Sequence, residues 1–152
     1  MASINEKALR TLEYGKIIER LQQFAGSEPG KRLCAELKPQ TELSVIRSLQ
    51  TETSDALARI LKKGGLSFHG LPEIGGTVKL LEVGSSLLAA ELLKISSVLT
   101  ATLRVKQYGT GGQEETEDSL SERFSLLEPL VALNNEIQRC ILSEEEIADD
   151  AS

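Results

Sequence analysis

Residues 64–77, GGLSFHGLPEIGGT, hold the densest set of groups in this chain that could do chemistry. From Gly70 the spacing is G-x-x-x-x-G-x-T, that of a phosphate-binding loop with Gly76 where the lysine belongs. Such a loop works because a strand feeds a glycine turn whose N–H groups face the phosphates, and the next helix offers its N-terminus. Here the residues before the glycines have helical periodicity, Pro72 removes one donor, and no lysine reaches the β- and γ-phosphates. A spacing without its structural context does not make a nucleotide site. His69 is the only histidine, and an isolated imidazole among glycines reads as an exposed loop residue. Metal ligation would need Cys34, Cys140 and His69 to converge with a fourth group, and their wide, irregular spacing is not that of a metal motif. The carboxylates of QEETED (113–118) and SEEEIADD (143–150) lie in solvated runs. They lack calcium-loop spacing and the burial that raises a carboxyl into the range of a general acid. No catalytic, cofactor-binding or metal-ligating residue is assigned.

A second motif overlaps the first. LSFHG resembles the strand-edge LDLHG of small Smr-type nucleases, but Ser67 stands where the acid belongs and no β-α unit surrounds it. Gly64, Gly65 and Gly70 are therefore read as backbone devices that stop a long helix and allow a tight crossing, with Gly65 and Gly70 the candidates for a positive φ. Basic residues gather at Arg59, Lys62 and Lys63, and again at Arg104 and Lys106, near the ends of the two longest periodic runs. These five are the nucleic-acid-contact candidates. Cations at a helix C-terminus are also favoured by the helix dipole alone, and no aromatic residues interleave with them.

The elements that must position these groups are helical. Hydrophobic content is 40 % but aromatic content only 3 %, so the core is built from Leu, Ile, Val and Ala, which suits helix packed on helix. Apolar residues at helical spacing run through 5–13, 14–24 and 28–38, the last with Ser27 as N-cap, Pro29 in the first turn and Pro39 as terminator. A long helix follows, capped by Thr41 and ended by Gly64 and Gly65, then a short one over 78–83 and a second long one over 87–108. Two short helices close the chain, the first carrying Phe124, Leu127 and Leu130 with Pro129 set awkwardly inside it, the second Ile137 and Ile141, and EEEIADDAS is left without terminal structure to anchor it. The fold class is all-α.

Charge is distributed unevenly. Residues 1–108 hold 15 Lys and Arg against 11 Asp and Glu, whereas residues 109–152 hold 2 against 12. The net charge of −6 therefore describes the last third, and the first two thirds are mildly basic. The expected organisation is a helical core over 1–108, a flexible acidic connector over 109–118, and short helices over 119–152. Two cysteines outside any C-x-x-C pair suit a reduced, cytoplasmic protein. No signal-peptide pattern or apolar run of about 18 residues points to secretion or to the membrane.

Read in order, NEKALRTLEYGKIIERL, SEPGKRLCAELKP and ETSDALARIL leading into KKGGLSFHGLPEI resemble the N-terminus of bacterial MutS type-2 proteins. The likeness runs from about Asn5 to Ser152. Gly30, Lys31, Arg32 and Leu33, followed by Leu37 and Pro39, also resemble the G-x-R-x-L…P pattern in the core domain of MutS proteins generally. The resemblance implies a helical bundle like that core domain, leading through IADDAS into a lever helix. Beyond the lever it implies a dimerising Walker-type ATPase domain and, in many members, an Smr nuclease. ATP and Mg would belong to that absent ATPase part, with no cofactor in this segment. The resemblance further implies a full-length homodimer that hydrolyses ATP and binds branched DNA, suppressing recombination, or stalled ribosomes. For this chain it implies a monomeric, non-catalytic scaffold whose partner is the rest of its own polypeptide. The alternative is a stand-alone helical domain that binds a protein in a groove between its long helices.

Overall fold

The computed structural model describes residues 5–111 and 117–151. Among these residues there are eight helices and no strand, so the all-α expectation holds. Helix α1 (Glu6–Thr11) opens at Asn5, whose side chain accepts from the Lys7 N–H at 2.9 Å. Helix α2 (Tyr14–Phe24) follows, and α3 (Glu28–Glu36) starts at the expected cap. There Ser27 Oγ accepts from the Gly30 N–H at 3.2 Å, and Pro29 occupies the first turn, where a missing N–H costs nothing. Helix α4 (Leu43–Lys63) begins later than the Thr41 cap predicts. Glu42 takes the N-cap position and its carboxylate bonds the Ser44 hydroxyl instead of a backbone N–H.

Helix α5 (Gly75–Glu82) starts ahead of its expected span and takes both glycines into its first turn, where Glu73 Oε1 accepts from the Gly75 N–H at 2.9 Å. Helix α6 (Ala89–Thr110) is opened by Glu91, which reaches back to the Leu88 N–H at 2.9 Å. It runs past residue 108 and takes Gly109 into its last turn. Helices α7 (Ser121–Ser125) and α8 (Val131–Cys140) are separated by an irregular stretch in which Pro129 is buried and Leu130 adopts a φ of 42°.

The described residues fall into two units, 5–70 with 117–120, and 71–111 with 121–151. This division differs from the expected boundaries at 108 and 118. Gly109 and Thr110 belong to α6, and Asp118 is held by a partner on α4. Residues 112–116 of the expected connector lie outside the described residues.

In unit 1, α2 packs against α1 and α3. The Tyr14 hydroxyl donates to the Leu37 carbonyl at 3.2 Å, tying the start of α2 to the end of α3. The loop after α4 returns to the α2–α3 turn, where the Gly70 N–H donates to the Gly26 carbonyl at 3.3 Å. In unit 2, α6 packs against α7 and α8 around Leu99, Ile137 and Ile141. A polar ladder completes that seam. Ser96 Oγ donates to Asn134 Oδ1 at 2.7 Å, Asn134 Nδ2 donates to Thr100 Oγ1 at 3.0 Å, and Gln138 Nε2 donates to Ser96 Oγ at 3.2 Å.

The acidic tail corrects an expectation. It is not left without structure, because residues 141–151 fold back on α8. Ile141 and Ile147 form an antiparallel bridge, and the Ala148 N–H donates to the Cys140 carbonyl at 2.8 Å. Arg139 Nη1 then donates to the Asp150 carbonyl at 2.5 Å. One cation and a set of satisfied backbone groups thus order a segment whose composition suggests a solvated run.

Candidate nucleic-acid interface

The five basic candidates fall on two helices in different units. Arg59, Lys62 and Lys63 occupy the last turns of α4, one face at i, i+3 and i+4 spacing. Arg104 and Lys106 lie in the last turns of α6, two positions apart and so on diverging faces. Arg59 in the first group and Lys106 in the second are engaged within the protein.

Arg59 leaves the candidate set. Its side chain is 9 % exposed, and its Nε and Nη2 donate to Asp118 Oδ2 and Oδ1 at 2.5 and 2.8 Å. A planar guanidinium matched to a carboxylate in this two-pronged way is the stronger form of ion pair. Lys106 is also engaged, donating from Nζ to the Leu127 carbonyl at 2.7 Å, which ties α6 to the end of the α7 segment. Lys63 is half-buried, whereas Lys62 and Arg104 are exposed. At the α4 end the guanidinium that could have gripped a phosphate is spent inside the protein.

The glycine loop is also only partly as expected. Gly64 and Gly70 adopt φ of 83° and 73°, and the Gly64 N–H closes α4 on the Ile60 carbonyl at 2.9 Å. Gly65, expected to share this role, has no positive φ, and a β-carbon there would meet open space. His69 is exposed, and its backbone N–H donates to Ser67 Oγ at 3.3 Å. Among the described residues no three His, Cys, Asp or Glu side chains converge as a metal site would require.

One cysteine has a distinct environment. Partial burial beneath the returning tail pushes the Cys140 thiol above its ordinary range, and the hydrogen bond it donates to Glu136 Oε1 at 3.5 Å adds to this. Glu136 shifts the other way. The hydrogen bond from Arg139 holds its carboxyl low, followed by the Cys140 thiol and the guanidinium charge. This arrangement stabilises a neutral thiol, the opposite of what a nucleophilic cysteine needs.

Unit 1 also contains an open groove of about 830 Å³ floored by Leu33, Leu37, Leu49, Ala56 and Leu120, with Thr53 at its wall. A second apolar surface runs along α1 and α2 through Leu12, Ile17, Leu21 and Phe24, where the Arg20 guanidinium lies 5.1 Å from the Phe24 ring centroid. Neither surface carries a convergent set of reactive groups.

Relatives match almost the full length of the chain. An endonuclease MutS2 of Lachnoclostridium phytofermentans is 61 % identical over 98 % of this chain. The MutS2 endonucleases of Agathobacter rectalis and Lachnospira eligens are 48 % and 42 % identical over the same share. The chain matches the N-terminal part of the MutS2 proteins. It spans about a fifth of the length of these relatives, 20 %, 19 % and 18 % in turn. No family model matches it. The resemblance read from NEKALRTLEYGKIIERL and the blocks after it is thus met across the chain and not only at its motifs. No helix among the described residues is long and apolar enough to cross a membrane.

Two functional relationships escaped the sequence reading. Asp118 reads as one more solvated acid, yet it neutralises Arg59 from 59 positions away. The ladder of Ser96, Thr100, Asn134 and Gln138 was signalled only by polar residues repeating at i, i+4 on each of two helices, a pattern that equally suits a solvated face.

Proposed function

We propose that this chain is a non-catalytic helical scaffold of a cytoplasmic MutS2 protein, against which the rest of the polypeptide packs. Its physical task is to carry movement between an ATPase part and a clamp on branched DNA or the ribosome. Close-packed helices suit that task because they shift as bodies and do not deform continuously. ATP, Mg and any strand cleavage belong, in this reading, to parts of the protein outside this segment.

The observation that carries the proposal is apolar surface on the outer faces of well-formed helices. Ile17 and Phe24 on α2 are 58 % and 72 % exposed, and Leu57, Ile60 and Leu61 on α4 are exposed as well. Covering a large apolar side chain contributes about 1.5–3 kcal/mol, so a helix face of this kind favours a packing partner. The relatives supply length for one, since the chain spans only a fifth of them.

The test compares two proteins. Ile17→Asp and Phe24→Asp are expected to leave the melting temperature of this segment within a degree or two, since both side chains already face water. In the full-length protein the same substitutions are expected to lower it by several degrees and to weaken the response of ATPase activity to DNA or ribosomes. Equal effects in both proteins would show that nothing in the longer chain covers this face. ATPase or nuclease activity in the isolated segment would overturn the scaffold reading outright.

A further inference from the structure

We infer that residues 117–120 form a releasable strap that closes one end of the α3–α4 groove. Helix α4 presents Asp55 and Arg59 one turn apart, an acid and a base on one face. The strap answers each in turn. Asp118 forms the two-pronged pair with Arg59, and Ser119 places both its backbone N–H and its hydroxyl on Asp55 Oδ2, at 3.0 and 2.6 Å. Asp118 Oδ1 also accepts from the Leu120 N–H at 3.0 Å, which bends the strap and sets Leu120 at the groove beside Leu33, Leu37, Leu49 and Ala56.

The strap is a separate device because of where it stands in the chain. It belongs to unit 1, although α6 before it and α7 after it belong to unit 2. It contributes no helix and only one apolar side chain to unit 1, so the side-chain pairs on α4 supply most of its hold. Short segments of this kind open at far lower free energy than the helices they lie on. The Arg59–Asp118 pair is shielded, at 9 % and 20 % exposure, which makes it the main hold of the strap. The Ser119–Asp55 contact is exposed and adds orientation.

Opening the strap withdraws the half-buried Leu120 from the groove and adds its side chain to the apolar surface that Leu33, Leu37 and Leu49 already expose. The experiment is hydrogen exchange on the intact chain, with the dye ANS as the probe for exposed apolar surface. Asp118→Asn keeps the size of the side chain but removes its charge. It is expected to speed exchange at the Ser119 and Leu120 amides about ten-fold or more, the loss of a charge-assisted bond, and to raise ANS fluorescence. Protection along α2 and α3 should stay unchanged. The exchanged pair, Arg59→Asp with Asp118→Arg, is expected to restore protection relative to either single variant. Unchanged exchange at Ser119 and Leu120 in Asp118→Asn would overturn the proposal, because the clip would then not hold the strap. Loss of protection throughout unit 1 in Asp118→Asn would overturn it equally, because the contact would then be part of the core and not a releasable strap.

Discussion

Phe124 on α7 occupies the space that a β-carbon on Gly109 of α6 would need, its own Cβ, Cγ and Cδ1 being the nearest atoms. Gly109 is buried, and the neighbouring Tyr108 ring completes the contact, its centroid 6.1 Å from that of Phe124 at a tilt of 56°. Gly109 is thus required for approach and not for backbone freedom. Gly109→Ala is expected to destabilise unit 2 by about 1–3 kcal/mol, the usual cost of overpacking. In a Phe124→Ala background the same substitution should cost little, because the obstructing ring is gone. Urea denaturation of the single and double variants measures the difference. Equal costs in both backgrounds would separate the two residues.

Local signals account for what the sequence revealed. Ser27, Pro29 and the stripe of α3 specify one helix from its own residues, and the same holds for the end of α4 at Gly64. Gly109 was misread because glycine followed by acid looks like a connector, and the reason for it stands in the next helix. Arg59 was misread in the same way. Its charge beside Lys62 and Lys63 suggests a solvated helix end, and only folding brings Asp118 to it. The basic candidates were therefore legible as residues but not as a surface, because availability depends on contacts distant in sequence.

The three loop glycines should separate on substitution. Gly70→Ala, at a φ of 73°, is expected to cost about 1–2 kcal/mol from the left-handed clash of a β-carbon. Gly64→Ala, with φ 83° and ψ 171°, lies in a region open essentially to glycine alone and should cost about 1–3 kcal/mol. Gly65→Ala should fall within about 0.5 kcal/mol of the parent, as surface changes away from special geometry do. Thermal denaturation of the three variants gives the ranking, and a large effect at Gly65 would contradict the backbone described here.

The ladder between α6 and α8 makes a prediction that an apolar seam would not. Asn134 is 7 % exposed and joins Ser96 to Thr100. Asn134→Leu keeps the branched shape, removes both bonds and is expected to cost about 1–3 kcal/mol, the penalty for buried polar groups that lose a partner. Adding Ser96→Ala to that variant should cost less than Ser96→Ala does alone, since the bond Ser96 donates to Asn134 is already gone. Additive losses in urea denaturation would mean that the two side chains do not share a network.

The clasp on the acidic tail should respond to acid, with a sign set by Glu136. Arg139 donates to Glu136 Oε2 and Oε1 at 3.1 and 2.6 Å, reaches the Asp150 carbonyl, and lies 3.5 Å from the Asp150 carboxylate. Because the folded protein holds the Glu136 carboxyl below its ordinary 4.5, the clasp gains stability from it above that value. The gain is lost as pH falls below 4.5 and through the lowered folded value. Protonated Glu136 no longer anchors the guanidinium, and the tail that Arg139 holds loosens. Amide exchange at Ala148, whose N–H donates to the Cys140 carbonyl, is therefore expected to lose protection on that acid limb while α6 keeps its own. Glu136→Gln should flatten the limb. Asp150→Asn should largely preserve it, because the shorter contact from Arg139 goes to the Asp150 backbone carbonyl. The alkaline side carries the opposite sign. A thiol held above its ordinary value favours the docked tail at neutral pH and opposes it once ionised, so Cys140 should react with iodoacetamide more slowly than free cysteine near pH 8. Faster alkylation, or an acid limb indifferent to Glu136→Gln, would show that the tail is held by its backbone bonds alone.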